Sequence, residues 1–124
     1  MSTNILSLNH ASLIVADIII SRVFYCNVLG LQEVDRPDLG FPGVWFQIGS
    51  QQLHLLELEN QDPITGRPEH GGRDRHVALN ALALAPVQDA LNKAGIVYTM
   101  SKSGRRALFC RDPDGNAIEI IEQA

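Results

Sequence analysis

Short apolar runs separated by glycine- and proline-marked turns fill most of the chain, and two stretches instead carry helical spacing. Residues 8–15 form an apolar run of strand length. Asp17 stands where a helix N-cap is needed, and residues 18–29 read as a helix ended by Gly30. Residues 31–34 predict a second strand. After the turn signal Pro37-Asp38-Leu39-Gly40, residues 44–48 predict a third, and Gly49-Ser50 turns into a fourth over 52–58. Residues 60–75 then break the pattern. They are rich in Pro, Gly, Asp and Arg, without periodicity, and their sixteen-residue length is typical of functional or mobile connectors.

After the connector the order returns. Residues 76–83 predict a strand. Pro86 suits the first turn of a helix whose apolar stripe is Val87, Ala90, Leu91 and Ala94, and Gly95 ends it. Residues 96–100, 107–111 and 117–122 predict three more strands, with the turn Asp112-Pro113-Asp114-Gly115 before the last. The spacings repeat as well as the order. His10 precedes Gly30 by twenty residues and His76 precedes Gly95 by nineteen, while Gly30 to His54 and Gly95 to Glu119 are both twenty-four. Laying residues 53–57 over 118–122 matches apolar to apolar at three positions, and both segments end in Glu. The chain therefore reads as α+β, with one βαβββ module over about 6–59, a connector over 60–75, and a second module over about 76–123.

Composition narrows the class of partner. With 124 residues and 45% apolar content, the chain can bury one core. Its net charge is −4 and its longest basic run is the pair Arg105-Arg106, which argues against nucleic acid or an anionic membrane and for a small-molecule substrate. No apolar run approaches membrane-spanning length, and residues 1–4 lack a signal-peptide pattern, so a cytoplasmic location is expected. Cys26 and Cys110 stand apart with no CxxC spacing and read as small buried residues.

Polar side chains inside the apolar strands carry the candidate chemistry. His10, His54, His76 and Glu119 each interrupt such a strand. The repeat pairs His10 with His76 on the first strands and His54 with Glu119 on the last, so packing about a pseudo-twofold axis would draw the four together. A buried carboxylate is costly unless it is paired, protonated or metal-bound. Neutral imidazoles bring nitrogen ligands without countercharge, and a divalent cation resolves that balance.

The segments Leu8-Asn9-His10, Phe24-Tyr25-Cys26-Asn27-Val28-Leu29-Gly30-Leu31 and Arg111-Asp112-Pro113-Asp114-Gly115-Asn116 before Ile118-Glu119 resemble the vicinal oxygen chelate superfamily. That group contains glyoxalase I, methylmalonyl-CoA epimerase, fosfomycin resistance proteins, bleomycin-binding proteins and extradiol dioxygenases. The resemblance implies a single glyoxalase-like domain over 1–124, with a curved, mostly antiparallel eight-stranded sheet. It implies one divalent metal ion per chain (Ni, Zn, Mn or Fe), held by His10, His54, His76 and Glu119. At His54 the family often has Glu, so this chain carries one anionic ligand fewer. The implied chemistry is lyase or isomerase type: a substrate chelates through neighbouring oxygens, an enediolate is stabilised, and Glu119 shuttles a proton with His54 assisting. A second reading is an Fe(II) extradiol-type dioxygenase, with His10, His76 and Glu119 as ligands and His54 in acid–base work. A third is a non-enzymatic drug-binding module. The resemblance also implies a homodimer whose sites take ligands from one chain or from two.

The remaining polar positions have plainer readings. His70 and Arg73 are expected to be solvated loop residues, and Gly71-Gly72 is too little for a phosphate loop. Arg73, Arg75 and the pair Arg105-Arg106 are candidates for holding an anionic substrate group. Of Trp45 and Phe46, one should face the core and the other the opposite side. Glu57 and Glu122 are expected to face solvent.

Overall fold

The computed structural model describes residues 3–123. Eight strands, two helices and two short turns of other helical type follow in the expected order. The first module comprises β1 (His10–Val15), α1 (Ile18–Arg22), a π-helical segment (Val23–Val28), β2 (Gln32–Val34), β3 (Gly43–Ile48) and β4 (Gln51–Glu57). A 3-10 turn (Gly71–Arg73) ends the connector. The second module comprises β5 (His76–Ala81), α2 (Ala85–Lys93), β6 (Thr99–Met100), β7 (Ala107–Arg111) and β8 (Ala117–Glu122).

The strands form two four-stranded sheets of identical order, β1-β4-β3-β2 and β5-β8-β7-β6, each with one parallel and two antiparallel pairs. The duplication extends to register. His10 lies opposite Gln52 and Ser12 opposite His54; in the same places His76 lies opposite Ala117 and Ala78 opposite Glu119. β1 and β5 end their sheets, and each leaves one backbone edge without a strand partner among the described residues.

The first helix differs from the uniform one expected. Past Arg22 it widens to π geometry, closed by Leu29 N donating to Phe24 O at 3.0 Å. Consecutive aromatic residues Phe24 and Tyr25 are both buried in this widened turn. Gly30, at φ +75°, then takes the left-handed conformation that lets the chain leave the helix.

One apolar cluster joins the modules, drawing Phe24, Phe46 and Leu53 from the first and Leu91, Leu108 and Ile118 from the second. The turn between β7 and β8 adds polar stitches across the same boundary. Tyr25 donates its hydroxyl to Asp112 at 2.6 Å, Ala16 N donates to Asp114 at 2.9 Å, and Asn116 donates to Ile14 O at 3.1 Å. The buried Tyr25–Asp112 bond, made to a charged group, contributes about 1.5–3 kcal/mol. Burial and the Asp112 charge hold the Tyr25 hydroxyl protonated well beyond the ordinary tyrosine range, so it remains a donor. Burial likewise pushes the Cys110 thiol up to about 12, which fits an inert core residue, while Cys26 is only partly buried.

Glu57 and Glu122 do more than face solvent. Glu57 accepts from Ile18 N at 3.1 Å and Glu122 from Leu84 N at 3.0 Å, so each module closes its own helix start with the last glutamate of its own last strand. Asp17 adds the expected cap, accepting from Ile19 N at 2.8 Å.

Candidate functional site

Side chains alternate across a strand, so the register fixes which residues share a face. In the first sheet one row across the strands is Ser12, His54 and Trp45, and the next is His10, Gln52 and Gln47. In the second sheet the matching rows are Ala78, Glu119 and Phe109, then His76, Ala117 and Arg111. Each last-strand candidate therefore has an aromatic residue beside it on the neighbouring strand. Phe46 points the other way, into the core, as the alternation required.

His54 is buried between two rings. Its centroid lies 4.1 Å from that of His10 and 4.2 Å from that of Trp45, with both stacks nearly parallel. Burial is the first cause that lowers its pKa, and the neighbouring His10 and Arg36 act in the same direction, so its neutral form is favoured. A chain of amides selects the tautomer. Gln47 donates to the carbonyls of Gly49 and Gln51, which turns its oxygen toward Gln52 Nε2 at 2.8 Å. Gln52 Oε1 is then left to accept from His54 Nε2 at 2.8 Å, so Nδ1 is the bare nitrogen.

The second sheet holds the other pair. His76 Nδ1 donates to Asp74 O at 2.9 Å, and its Nε2 faces Glu119 Oε1 at 3.4 Å. Glu119 is buried. Asp74 is the hub behind this arrangement. Its carboxylate accepts two bonds from Arg67, at 2.8 and 3.0 Å, and one from Arg111 at 2.8 Å, while its carbonyl orients His76. The two guanidiniums, Arg67 first, hold the Asp74 carboxyl well below the usual carboxylate range. Arg111 also donates to Pro68 O at 2.5 Å and to Gly115 O at 2.7 Å, so the connector is tied down at its C-terminal end. Gly71 and Gly72 lie flat on Phe109, where an added Cβ would come within 3.1 Å of the ring side chain.

The four sequence-derived residues thus come together as two pairs. Among the described residues of one chain, no group of three or more His, Cys, Asp or Glu is placed to hold a metal ion. His10 and His76 border the same groove between the unpartnered edges of β1 and β5, which encloses about 670 Å³. The donor chemistry fits a cation. His10 gives Nδ1–H to Asn9 Oδ1 at 2.7 Å, and His76 commits its Nδ1–H in the same way, so in each ring Nε2 is the nitrogen left to meet a cation. In the neutral form, His76 Nε2 meets the Glu119 oxygen acceptor to acceptor, an opposition that a proton or a metal ion relieves. The His10–His54 stack fits less simply. Rings this close and parallel cannot both aim in-plane lone pairs at one point, so coordination by both requires one ring to turn.

Other expectations are adjusted by the geometry. Arg106 pairs with Glu122 and Arg75 with Asp62, so neither is a free clamp. His70 is half-buried rather than solvated, bonded to Thr99 Oγ1 at 2.9 Å and packed edge-on to Phe109. Gln47, Gln52, Asp74, Arg67 and Arg111 support the site without standing out in the sequence. The available signal was that Gln47 and Gln52 share the face of Trp45 and His54, and that Asp74 lies two residues before His76.

The sequence matches the Glyoxalase/Bleomycin resistance protein/Dioxygenase superfamily over residues 7–120. It is 31% identical over 120 residues to "Glyoxylase I 4" of Arabidopsis thaliana, covering 92% of this chain and 69% of that one. The fold matches a glyoxalase family protein from Bacillus anthracis with a TM-score of 0.81 at 24% identity, over 100% of both chains. It also matches a variant of the fosfomycin resistance protein FosX from Listeria monocytogenes, solved with manganese(II), with a TM-score of 0.75 at 16% identity over 97% of this chain and 94% of that one. No helix among the described residues is long and apolar enough to cross a membrane. With paired modules in matching register and the family signature across nearly its whole length, the chain belongs to the glyoxalase/bleomycin resistance protein/dioxygenase superfamily, the vicinal oxygen chelate group.

Proposed function

We propose that the protein is a metal-dependent, glyoxalase-like enzyme of lyase or isomerase type, acting on a small oxygenated substrate in a site shared between two copies of the chain. His10 and His54 come from one copy, and His76 and Glu119 from the other. The observation that carries this reading is the 3.4 Å approach of His76 Nε2 to Oε1 of the buried Glu119, with the other ring nitrogen of His76 already committed. The absence, among the described residues of one chain, of any three candidate ligands placed together, and the unpartnered edges of β1 and β5, support sharing. A divalent ion bound there would supply Lewis acidity to two neighbouring substrate oxygens. Glu119 is the group that takes a proton from one substrate carbon and returns it to the adjacent one. His54, neutral and fixed in tautomer by Gln52, offers Nδ1 as an acceptor on the opposite wall.

The His10–His54 stack favours a second reading, in which His54 stays in its ring sandwich and only His10, His76 and Glu119 bind metal. Two histidines and one carboxylate are the ligand set of Fe(II) oxygenases. Iron in the purified protein and oxygen uptake with a catechol would select it over the first.

Metal content tests the site without a known substrate. A chain with His10→Ala and His54→Ala, and a chain with His76→Ala and Glu119→Ala, should each lose metal. Mixed and allowed to exchange subunits, they should regain about a quarter of the wild-type content, since half the dimers are then hybrids with one intact site in two. A mixture that stays metal-free while wild type binds would refute sharing. Full metal in either double variant alone would refute the ligand assignment.

A further inference from the structure

Ten Lys and Arg side chains are spread over the sequence, and five of them pair with a carboxylate: Arg22, Arg67, Arg75, Arg106 and Arg111. Among the described residues, Arg36, Arg73, Lys93, Lys102 and Arg105 do not. Three of these five, Arg73, Lys102 and Arg105, line one cleft of about 280 Å³, and His76 and Glu119 line the same cleft. Unpaired cations repel one another, and three around one concavity with a single carboxylate leave a formal excess of +2. That excess is a standing attraction for an anion.

The cleft walls are built rather than loose. On one side, the 71–73 turn is packed against Phe109, where a Cβ added at Gly71 or Gly72 would come within 3.1 Å of that side chain, and the Asp74 hub anchors its end. On the other side, the loop after β6 is folded on its own hydroxyls. Ser103 N donates to Ser101 Oγ at 3.2 Å, Arg105 N donates to Ser103 Oγ at 3.4 Å, and the two hydroxyls lie 2.8 Å apart. One hydroxyl must give its proton to the other, so one O–H remains to donate elsewhere.

We propose that this cleft is an oxyanion subsite, in which Arg73, Lys102 and Arg105 hold the carboxylate or phosphate group of a small substrate whose other oxygens lie at His76 and Glu119. The assignment deepens the enzymatic reading above and rests on it for the substrate's second end. The volume, about 280 Å³, falls just below the range of ligand pockets, roughly 300–1,000 Å³. It suits a short acid or phosphate ester rather than a bulky drug or a coenzyme ester. Guanidiniums recognise either oxyanion through paired N–H donors.

The test uses the full chain, as purified and after chelator treatment, titrated with inorganic phosphate and separately with acetate at constant ionic strength. Amide shifts are followed by NMR, with chloride as the control salt. Saturable shifts confined to residues 71–73 and 101–105 are expected, and whichever probe binds more tightly identifies the class of oxyanion. Arg73→Ala with Arg105→Ala should weaken that binding at least tenfold while leaving metal content and the remaining spectrum unchanged. Non-saturating shifts, equal shifts with chloride, or wild-type affinity in the double variant would each overturn the proposal. Anion binding in a protein that takes up no metal would instead overturn the enzymatic reading and leave the subsite standing.

Discussion

Replacing Asp74 by alanine separates the scaffold from the chemistry, because that residue touches neither substrate nor metal in any reading above. Its carboxylate carries three hydrogen bonds from Arg67 and Arg111, and its carbonyl carries one from His76. The Asp74 and Arg67 side chains are each 10% exposed and that of Arg111 is 26% exposed, so the cluster lies between the surface and the interior. Exposed pairs contribute up to about 1 kcal/mol, and breaking a buried pair costs about 3–5 kcal/mol, which brackets Asp74→Ala at about 2–3 kcal/mol of folding stability. Urea unfolding with an unchanged slope measures that loss. The variant should also bind metal roughly 10–100-fold more weakly, the usual effect of losing a ligand's supporting hydrogen bond, because the main chain that aims His76 is released. The pH dependence has a definite sign. The two guanidiniums depress the folded-state pKa of this carboxyl, so its stabilisation is complete above the ordinary value of about 4 and is lost as pH falls toward the folded value. The stability gap between wild type and Asp74→Asn should therefore be flat from neutral pH to about 5 and close below about 4. A gap under about 0.5 kcal/mol at neutral pH, the range of ordinary surface substitutions, would refute the hub reasoning.

Two further substitutions divide the remaining questions. His54→Ala should abolish metal binding if four side chains hold the ion, and should leave stoichiometric metal if His54 is only a stacked neighbour; elemental analysis decides. Gln52→Leu should release the His54 tautomer. Long-range ¹H–¹⁵N correlation of the ring should show Nε2–H alone in wild type and a mixture in the variant, and an unchanged tautomer would remove the amide relay from the account.

The elements that the sequence made legible are those set by local chemistry and by repetition. β7 and β8 start and stop where their apolar runs do, and Gly30 and Gly95 end the helices where left-handed backbone is needed. The His10/His76 and His54/Glu119 equivalences hold to the residue in the strand register. What escaped depends on distance through space. The π-helical segment Val23–Val28 buries two adjacent aromatics, Phe24 and Tyr25, a departure from regular helical spacing that periodicity averages away. Arg111 and Asp74 are thirty-seven positions apart, and nothing in either neighbourhood announces their contact. Strand alternation puts Glu57 and Glu122 on the face opposite the site but does not identify what lies over that face. Over each lies the start of that module's helix.

The placement of those two glutamates has a consequence for how such a chain can diverge. Three positions separate each from the residue that faces the site, so they occupy opposite sides of the same strand. Within each half, the group that closes the helix and the candidate site residue therefore lie on different faces. The equivalent position is imidazole in the first half and carboxylate in the second, while the same residue type, glutamate, closes the helix start in both. A protein wired this way can trade one reactivity for another by a single codon, without renegotiating its architecture.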